Sequence, residues 1–202
     1  MPDKPLGLRE RNRIRTRDEI LVAMSLMLGE QSFESITVDE VAQRAGVSRG
    51  TIYSYFPDGR EQLIRDAYLR IANQVIEKGS AQRDAQTDVS KRVLAIAGAL
   101  ASVTGTPEGR FYGLLGATTF GPLGGVTGSA SGMFHTMLTE DLQRAMELGL
   151  ITATAHVEEL AVLVSGAIRE IGARVASEPA QAEALLDALR VTCEALLAPT
   201  KK

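Results

Sequence analysis

The segment GVSRGTIYSYF, residues 46–56, gathers hydrogen-bonding side chains and aromatic rings at short spacing. Three of its residues are aromatic, in a chain that has only four Tyr, five Phe and no Trp. If the segment is helical, Ile52 and Phe56 share one face, because residues four apart are neighbours on a helix, and we expect both to pack inward. The opposite face is formed by Gly50, Thr51, Tyr53 and Ser54. That face is small, rich in hydroxyl groups and uncharged.

A short helix with such a face has the size and the chemistry to enter the major groove of DNA. Gly50 and Ser54 permit close approach, and Thr51 can bond a base edge or contact a thymine methyl group. The Tyr53 hydroxyl can donate to a phosphate oxygen, and the backbone amides at the start of the helix suit a second phosphate. The segment therefore predicts contacts with double-stranded DNA.

Three side chains of this segment admit other interpretations. Tyr53 can be a plain surface ring, although its neighbours argue against this. Tyr55 fits a core aromatic residue whose hydroxyl reaches the surface better than it fits a second outward ring. Arg49 suits a phosphate contact better than a guanine contact, and a plain surface charge is the third option.

The flanking sequence predicts the helices that position this segment. Apolar residues recur at helical spacing almost throughout the chain, and strand signals are few, which predicts an all-α fold. Thr16 can cap a first helix, and the capping box Thr37–Glu40 begins a second helix over residues 38–44. Gly46 can end that helix in the left-handed conformation, and Ser48 caps the third. Two short helices around a glycine turn, docked on a longer one, make a helix-turn-helix unit.

The rest of the chain divides into further helices. Their expected ranges are 60–78, 88–103, 107–118, 133–149, 155–177 and 180–198. These ranges predict an N-terminal arm and helix-turn-helix domain over residues 1–60, a linking helix over 61–79, and a helical ligand-binding and dimerisation domain over 80–202.

Charge is distributed unevenly along the sequence. The net charge is −3 at neutral pH, but the first 17 residues hold six Lys/Arg against two acidic residues, which gives +4 and leaves −7 for the remainder. A cationic arm on an acidic body suits a polyanionic partner bound at one end. A solvated, disordered tail remains an equal alternative.

Several classes of protein are disfavoured by composition. The N-terminus has no apolar run, and no stretch approaches the ~20 apolar residues of a membrane helix, so we expect a cytoplasmic protein. The single cysteine, Cys193, provides neither an internal disulfide nor a metal-ligand set. No nucleotide-binding or metalloprotease motif occurs. We therefore expect no cofactor, no metal and no catalytic residue.

The stretch TVDEVAQRAGVSRGTIYSYFPDGREQL resembles the DNA-binding signature of TetR-type transcriptional repressors. The resemblance covers residues 15–65, and the later part of the chain shares only length and helical layout with that family. It implies a homodimeric, all-helical regulator whose helix-turn-helix domain leaves DNA when a small molecule enters the C-terminal domain.

Carried over by position, the resemblance implies a set of DNA contacts. The recognition helix would present Ser48, Arg49, Gly50, Thr51, Tyr53 and Ser54, with Tyr53 on a phosphate. Thr37 would give its hydroxyl or amide to a phosphate. Family members carry a Lys at the start of the fourth helix, but here Gly59 resembles an insertion and Arg60 takes that place. Arg13, Arg15 and Arg17 would contact the backbone or the minor groove ahead of the first helix.

A second group of aromatic and sulfur-containing residues lies in the C-terminal half. It consists of Phe111, Tyr112, Phe120, Met133, Phe134, His135 and Met137. Ligand cavities are mostly apolar with a few polar groups, so these residues can line one, with Tyr112 and His135 as polar handles. The alternative is that each of them fills the core of a helical bundle.

The last two predicted helices carry apolar stripes that suit a dimer interface of four helices. The stripes include Leu160, Val164, Ile171, Leu186, Leu189 and Cys193. Two copies related by a two-fold axis would read a palindromic operator with half-sites about 34–36 Å apart, or a multiple of that distance. The sequence therefore predicts a ligand-responsive DNA-binding regulator that binds as a dimer, with a repressor favoured. An activator of the same family, or a small helical enzyme that uses a cavity over residues 111–135, is the alternative.

Overall fold

The computed structural model describes residues 7–115, 129–151 and 156–197, and every regular element in these ranges is helical. The helices are α1 (Leu8–Glu30), α2 (Val38–Ala45), α3 (Arg49–Tyr55), α4 (Arg60–Asp84), α5 (Val89–Thr104), α6 (Arg110–Leu115), α7 (Ser129–Glu147), α8 (Val157–Ser177) and α9 (Ala182–Leu196). Two 3-10 turns, Phe33–Ser35 and Pro179–Gln181, precede α2 and α9. The predicted all-α fold class, a helix-turn-helix unit followed by a helical domain, is confirmed.

The predicted caps set the boundaries of the two short helices. The Thr37 amide donates to the Glu40 carboxylate at 2.8 Å, and the Glu40 amide donates to the Thr37 hydroxyl at 3.3 Å. Gly46 ends α2 with φ 67° and ψ 28°, a conformation that costs glycine little because it has no Cβ. The Ser48 hydroxyl accepts from the Thr51 amide at 3.0 Å. These local bonds fix the turn between α2 and α3.

Helix α1 begins at Leu8, so the prediction that Thr16 caps the first helix is wrong. The segment between these residues contains no Gly or Pro, and its Arg and Glu residues are good helix formers. An ion pair one turn apart, Arg15 Nε to Glu19 Oε1 at 3.6 Å, bridges the predicted boundary. The described part of the predicted arm is therefore helix rather than an extended or disordered tail.

Helix α4 runs from Arg60 to Asp84, past the break predicted after Lys78. Gly79 lies inside the helix and is buried against α7: a Cβ added there would meet Phe134 Cζ at 2.8 Å. Near the helix end, Arg83 is anchored by the buried carboxylate of Asp141 at 2.7 Å. These tertiary contacts keep the polar segment after Lys78 helical, although its sequence predicts a break.

Helix α5 lies at the centre of the C-terminal bundle and packs against α4, α6, α7, α8 and α9. Helices α6 and α8 cross at very close range, because a Cβ at Gly113 would lie only 2.6 Å from the Gly172 carbonyl oxygen. One buried apolar cluster continues from Ile20 of α1 through Ile71 of α4 to Ile168 of α8. In the ranges described above, no helix combines the length and the apolar character needed to span a membrane.

Candidate functional site

Helix α3 presents the face that the helical wheel predicts. Ile52 and Phe56 have no exposed surface, whereas Tyr53 is 40% exposed. Tyr55 is half-buried and packs on the core, with its ring centroid 6.5 Å from that of Phe56. Of the two interpretations of Tyr55, the structure therefore favours the core aromatic residue.

The outward face of α3 has fewer free hydroxyl groups than its sequence suggests. Ser48, Gly50 and Ser54 are exposed, and Thr51 is half-buried. The Ser48 and Thr51 hydroxyls lie 2.8 Å apart, and the Ser54 hydroxyl donates to the Thr51 carbonyl at 2.8 Å. Tyr53 is thus the exposed ring beside a surface whose smaller hydroxyls already bond within the helix.

Arg49 is held at the edge of this face by two neighbours. Its Nη1 donates to Asp39 Oδ2 at 2.8 Å, and its guanidinium lies 5.6 Å from the centroid of the Tyr53 ring. Tyr53 first and Asp39 second raise the pKa of Arg49 above its usual value. Because Arg49 and Asp39 are both well exposed, such a pair contributes little stability. Arg49 can therefore leave Asp39 and pair with a DNA phosphate at a small cost in stability.

Gly59, the residue that resembles an insertion, packs closely against the Tyr53 ring. Gly59 has φ 64°, in the region that favours glycine, and a Cβ there would lie 3.2 Å from Tyr53 Cε1. The residue both turns the chain into α4 and leaves room for the ring. The insertion is therefore accommodated next to α3.

Arg60, which is predicted to contact a phosphate, is bonded to other groups of the chain. Its Nη1 donates to the carbonyl oxygens of Glu34 at 3.2 Å and Ile36 at 3.3 Å, and its guanidinium stacks 4.5 Å from the Phe33 ring centroid. The turn at Gly59 starts α4 with this side chain directed at the 3-10 turn before α2. Arg60 therefore joins α4 to the helix-turn-helix unit, and its contact with a phosphate stays a prediction.

The three arginines predicted to contact DNA ahead of the first helix lie on α1 itself. Arg17 donates to Asp66 of α4 at 2.7 Å and lies 5.2 Å from the Phe56 ring centroid, so it holds α1 against α4. Arg15 pairs with Glu19. Arg13 is exposed and forms no ion pair or hydrogen bond with any residue that the structure describes. These three residues therefore lie on a helix rather than an extended arm, and their contacts with DNA stay predictions, with Arg13 the one of the three that has no partner among the described residues.

A cavity of about 50 Å³ lies between α4, α5, α6, α7 and α8. Of the residues predicted to bind a ligand, Tyr112 and Phe134 line it. The described residues that also line it are Tyr68, Val75, Leu100, Gly113, Ser131, Leu138, Ser165, Ile168, Arg169 and Gly172. Sequence reasoning missed Tyr68, although it is an aromatic residue beside the apolar stripe of the linking helix, and gave no signal for Ser165.

Hydrogen-bonding groups are few in this cavity. The Tyr68 and Tyr112 rings pack with centroids 4.9 Å apart at 37°. Burial, and then the neighbouring Tyr68, raise the pKa of Tyr112 well above its usual value, so its phenol stays protonated. Ser165 is 9% exposed, and its hydroxyl has no hydrogen-bond partner among the described residues. The site is therefore a largely apolar chamber whose described wall contains a few neutral polar groups and one charged side chain, that of Arg169.

Four other residues predicted to bind a ligand are not among the described lining residues of the cavity. Phe111 is 1% exposed in the core, whereas Met133 is 44% exposed. His135 Nε2 lies 3.5 Å from Glu158 Oε2, and Met137 Sδ lies 3.9 Å from the Ser80 hydroxyl. For Phe111 the core alternative is the correct one. The remaining predicted residue, Phe120, lies outside the described residues.

The predicted dimer residues divide into buried and accessible ones. Ile171, Leu189 and Cys193 are at most 6% exposed within the single chain. Burial raises the pKa of the Cys193 thiol to about 11, so it remains protonated. Leu160, Val164 and Leu186 are partly accessible. More exposed still are Val162 at 55%, Leu163 at 69% and Val191 at 52%.

These exposures revise the predicted stripe. Ile171, Leu189 and Cys193 belong to the core of one chain, because α8 and α9 pack on α5 and on each other. The more exposed apolar residues of α8 and α9, Val162, Leu163 and Val191, lie outside the six residues predicted for the interface. Among the residues described, no group of three or more His, Cys, Asp or Glu could hold a metal ion.

The N-terminal unit matches a known family. Residues 20–67 match the sequence profile of bacterial regulatory proteins of the tetR family. The regulator AlkX of Mycobacterium tuberculosis is 36% identical over 84 residues, which are 42% of this chain and 39% of AlkX. LmrA of Bacillus subtilis is 28% identical over 107 residues, 52% of this chain and 57% of LmrA. The chain thus aligns with less than two thirds of each of these helix-turn-helix transcriptional regulators.

Solved structures extend the likeness to the whole fold. FadR of Bacillus halodurans, a fatty acid degradation regulator, superposes with a TM-score of 0.74 at 18% identity, over 87% of this chain and 96% of FadR. FadR of Bacillus subtilis, in complex with stearoyl-CoA, gives 0.74 at 17% identity, over 91% and 98%. At such identity the likeness concerns the fold, including the C-terminal bundle that the sequence profile does not reach.

Proposed function

Because this chain belongs to the tetR family of bacterial regulatory proteins, we propose that it represses transcription by binding a palindromic operator as a dimer. Residues 1–60 would bind DNA, and residues 80–202 would dimerise and bind an effector. The observation that carries the proposal is the outward face of α3, where Tyr53 is exposed while Ile52 and Phe56 anchor the helix in the core. Caps at Thr37 and Ser48 hold that face in a fixed position.

The DNA contacts follow from the exposed groups of this face. Gly50 and Ser54 would meet the base edges, with Thr51 at the border of the contact. Tyr53 and Arg49 would bind phosphates, and Thr37 would offer a third phosphate contact at the start of α2. Arg13 on α1 would add a cationic contact at the edge. Phosphate contacts release counterions, so operator affinity should fall steeply with salt.

The accessible apolar edge of α8 and α9 would form the dimer interface. Val162, Leu163 and Val191 are each more than half exposed, and Leu160 and Leu186 lie partly accessible beside them. Two such edges related by a two-fold axis would make a four-helix contact. The dimer would place two copies of α3 in successive major grooves, about one helical turn apart.

An effector in the cavity would change the spacing of the two reading helices. Ligand pockets commonly hold ~300–1,000 Å³, whereas this cavity measures about 50 Å³, so a bound effector must displace part of the lining. Helix α6, which carries Tyr112, would transmit a displacement because it also contacts α1. Just before α6, the Pro107 carbonyl would lie 3.3 Å from a Cβ at Gly29.

Arg70 of α4 makes a second connection between α1 and the residues just before α6. Its Nε donates to Asp18 of α1 at 2.6 Å, and its Nη1 donates to Glu108, just before α6, at 2.9 Å. Displacement of α6 would therefore pull on both α1 and α4. An effector that binds the displaced arrangement more tightly would lower operator affinity, as linkage requires.

Selection from a random duplex pool tests the proposal. The full chain should enrich a palindrome, bind it as a dimer in sedimentation experiments, and lose affinity as KCl rises, with a linear log–log dependence. A reporter gene placed behind the selected sequence should be silenced by the chain, whereas increased expression would indicate an activator. Failure to enrich any sequence, or binding that is independent of salt, would contradict DNA-binding function.

A further inference from the structure

One buried hydroxyl in the cavity wall, that of Ser165, is without a hydrogen-bond partner in the described part of the chain. The Ser165 hydroxyl is the buried side-chain oxygen or nitrogen without a hydrogen-bond partner among the residues that the structure describes. Ser165 is 9% exposed and lines the cavity. Buried polar groups are nearly always hydrogen-bonded, and an exception in a cavity points to a bound group that completes the site.

Arg169 lines the same cavity as Ser165 and lies about one turn further along the same helix. Arg169 is four residues after Ser165 and lines the same cavity, so the two residues share one face of α8. A Cβ added at Gly166 would lie 3.8 Å from Arg169 Nη2. The guanidinium is therefore directed back along the helix, toward the turn that carries Ser165, and the missing side chain at Gly166 leaves space beside it.

Arg169 is exposed to solvent and has no partner within the part of the chain that the structure describes. It forms no ion pair there, whereas Arg174 on the same helix pairs with Glu170 at 2.7 Å. The described lining contains no acidic residue and no other charged one. The rest of the wall is largely apolar and includes Val75, Leu100, Phe134, Leu138 and Ile168. The cavity therefore suits an apolar molecule whose charge, if it has one, is negative.

We propose that this cavity binds a small amphipathic carboxylic acid, with its carboxylate bonded to the Arg169 guanidinium and the Ser165 hydroxyl. The apolar body would lie against Val75 and Leu138. A carboxylate offers two oxygens, so one can accept from Ser165 while the other accepts from the planar guanidinium, which favours such anions. The inference rests on the proposed effector site and adds the chemical class of the effector.

The test compares an acid with a neutral molecule of the same shape. Isothermal titration of the full chain with octanoate and octanamide should give binding of the acid that is about tenfold tighter or more, as for a hydrogen bond to a charged partner. Equal affinity for the two, or no binding of octanoate, would overturn the proposal. Octanoyl-CoA, which has no free carboxylate, should bind more weakly than octanoate; a tighter, Arg169-dependent interaction would assign the cation to phosphate instead.

Variants assign the effect to the two residues. Arg169→Gln should weaken octanoate binding about tenfold or more and leave octanamide unchanged, and Ser165→Ala should weaken octanoate binding by a smaller factor. Arg144→Gln is the matched control, because Arg144 is exposed on α7 and does not line the cavity. Equal octanoate affinity of Arg169→Gln and Arg144→Gln would overturn the assignment.

Operator affinity without ligand separates this inference from the proposed function. Each variant is first tested for binding to the selected duplex, which should be unchanged. If operator binding persists but octanoate does not bind, the inference on the effector fails and the DNA-binding function stands. Absence of operator binding by the native chain would count against the proposed function itself.

Discussion

Two polar clusters in the C-terminal bundle differ in whether their polar groups find partners within the chain. At one end of the bundle, the carboxylate of Asp141 accepts from Arg83 Nε at 2.7 Å and from Arg92 Nε at 2.6 Å, and Asp141 is 2% exposed. In the cavity, Ser165 and Arg169 have no partner among the described residues. The first cluster is complete within the described chain, and the second would be completed by the proposed ligand.

The same distinction separates the arginines of the DNA-binding half. Arg60 and Arg17 are bonded to the protein's own carbonyls and carboxylate, whereas Arg13 forms no such bond with the described residues and Arg49 pairs only at the surface. Groups that are complete within the chain should affect stability when they are removed. Incomplete groups should affect binding. The predictions below test this division.

The largest effect is expected at Asp141. Asp141→Ala leaves two guanidinium groups with low exposure and without their carboxylate, and loss of one partner of a buried ion pair costs about 3–5 kcal/mol of unfolding free energy. Urea denaturation at fixed protein concentration measures this value. Glu140→Ala is the control, because Glu140 is mostly exposed and contacts Arg83 from the solvent side at 3.2 Å. If both variants lost less than about 1 kcal/mol, the cluster would not be structural.

The next effect concerns Tyr53 and appears in binding only. Tyr53→Phe removes an exposed hydroxyl, so we expect operator affinity to fall by about 1.5–3 kcal/mol, the value of a hydrogen bond to a charged group. The loss should be similar for specific and non-specific duplexes, because phosphate contacts carry no sequence information. Fluorescence anisotropy measures both affinities. A variant that melted earlier but bound DNA with native affinity would assign Tyr53 to the core instead.

Substitutions of Arg60 and Arg13 should have opposite effects on stability and on DNA binding. Arg60→Gln should lower the unfolding free energy by about 1–2 kcal/mol, because carbonyl hydrogen bonds and an aromatic contact are lost. Arg13→Gln should leave stability unchanged, weaken DNA binding without regard to sequence, and reduce the salt slope by about 1. Denaturation and salt titration of both variants check this. The reverse result would return Arg60 to the DNA contact that the sequence suggests.

The elements around α3 could be predicted because their signals are local. Thr37, Glu40, Gly46 and Ser48 each act within four residues, so their caps follow from spacing alone. The orientation of Arg60 did not follow, because it depends on the positive φ of Gly59 and on carbonyls more than 20 residues away. A charge in a sequence does not indicate which partner it will find.

The cavity was predicted less well for the same physical reason. Tyr112 and Phe134 could be proposed because aromatic residues are rare in this chain. Ser165 and Arg169 are common residue types on an amphipathic helix, and only tertiary packing leaves the one buried without a bond and the other beside it. The dimer stripe was displaced for a related reason: α9 packs its apolar face inside the chain, which periodicity alone cannot distinguish from packing on a second copy.

The smallest effect, and the one that separates the two kinds of group most directly, concerns Ser165. An unsatisfied buried hydroxyl is unfavourable, so Ser165→Ala should leave the unfolding free energy equal or raise it by up to about 1 kcal/mol. Ser25 on α1 is the matched control: it is also buried, but its hydroxyl donates to the Leu21 carbonyl at 2.8 Å. Ser25→Ala should lower stability by about 0.5–1.5 kcal/mol. Both substitutions remove a serine hydroxyl. Opposite changes in the unfolding free energy, measured by urea denaturation, would therefore reflect the missing partner of Ser165. Equal losses would mean that this hydroxyl is satisfied in solution.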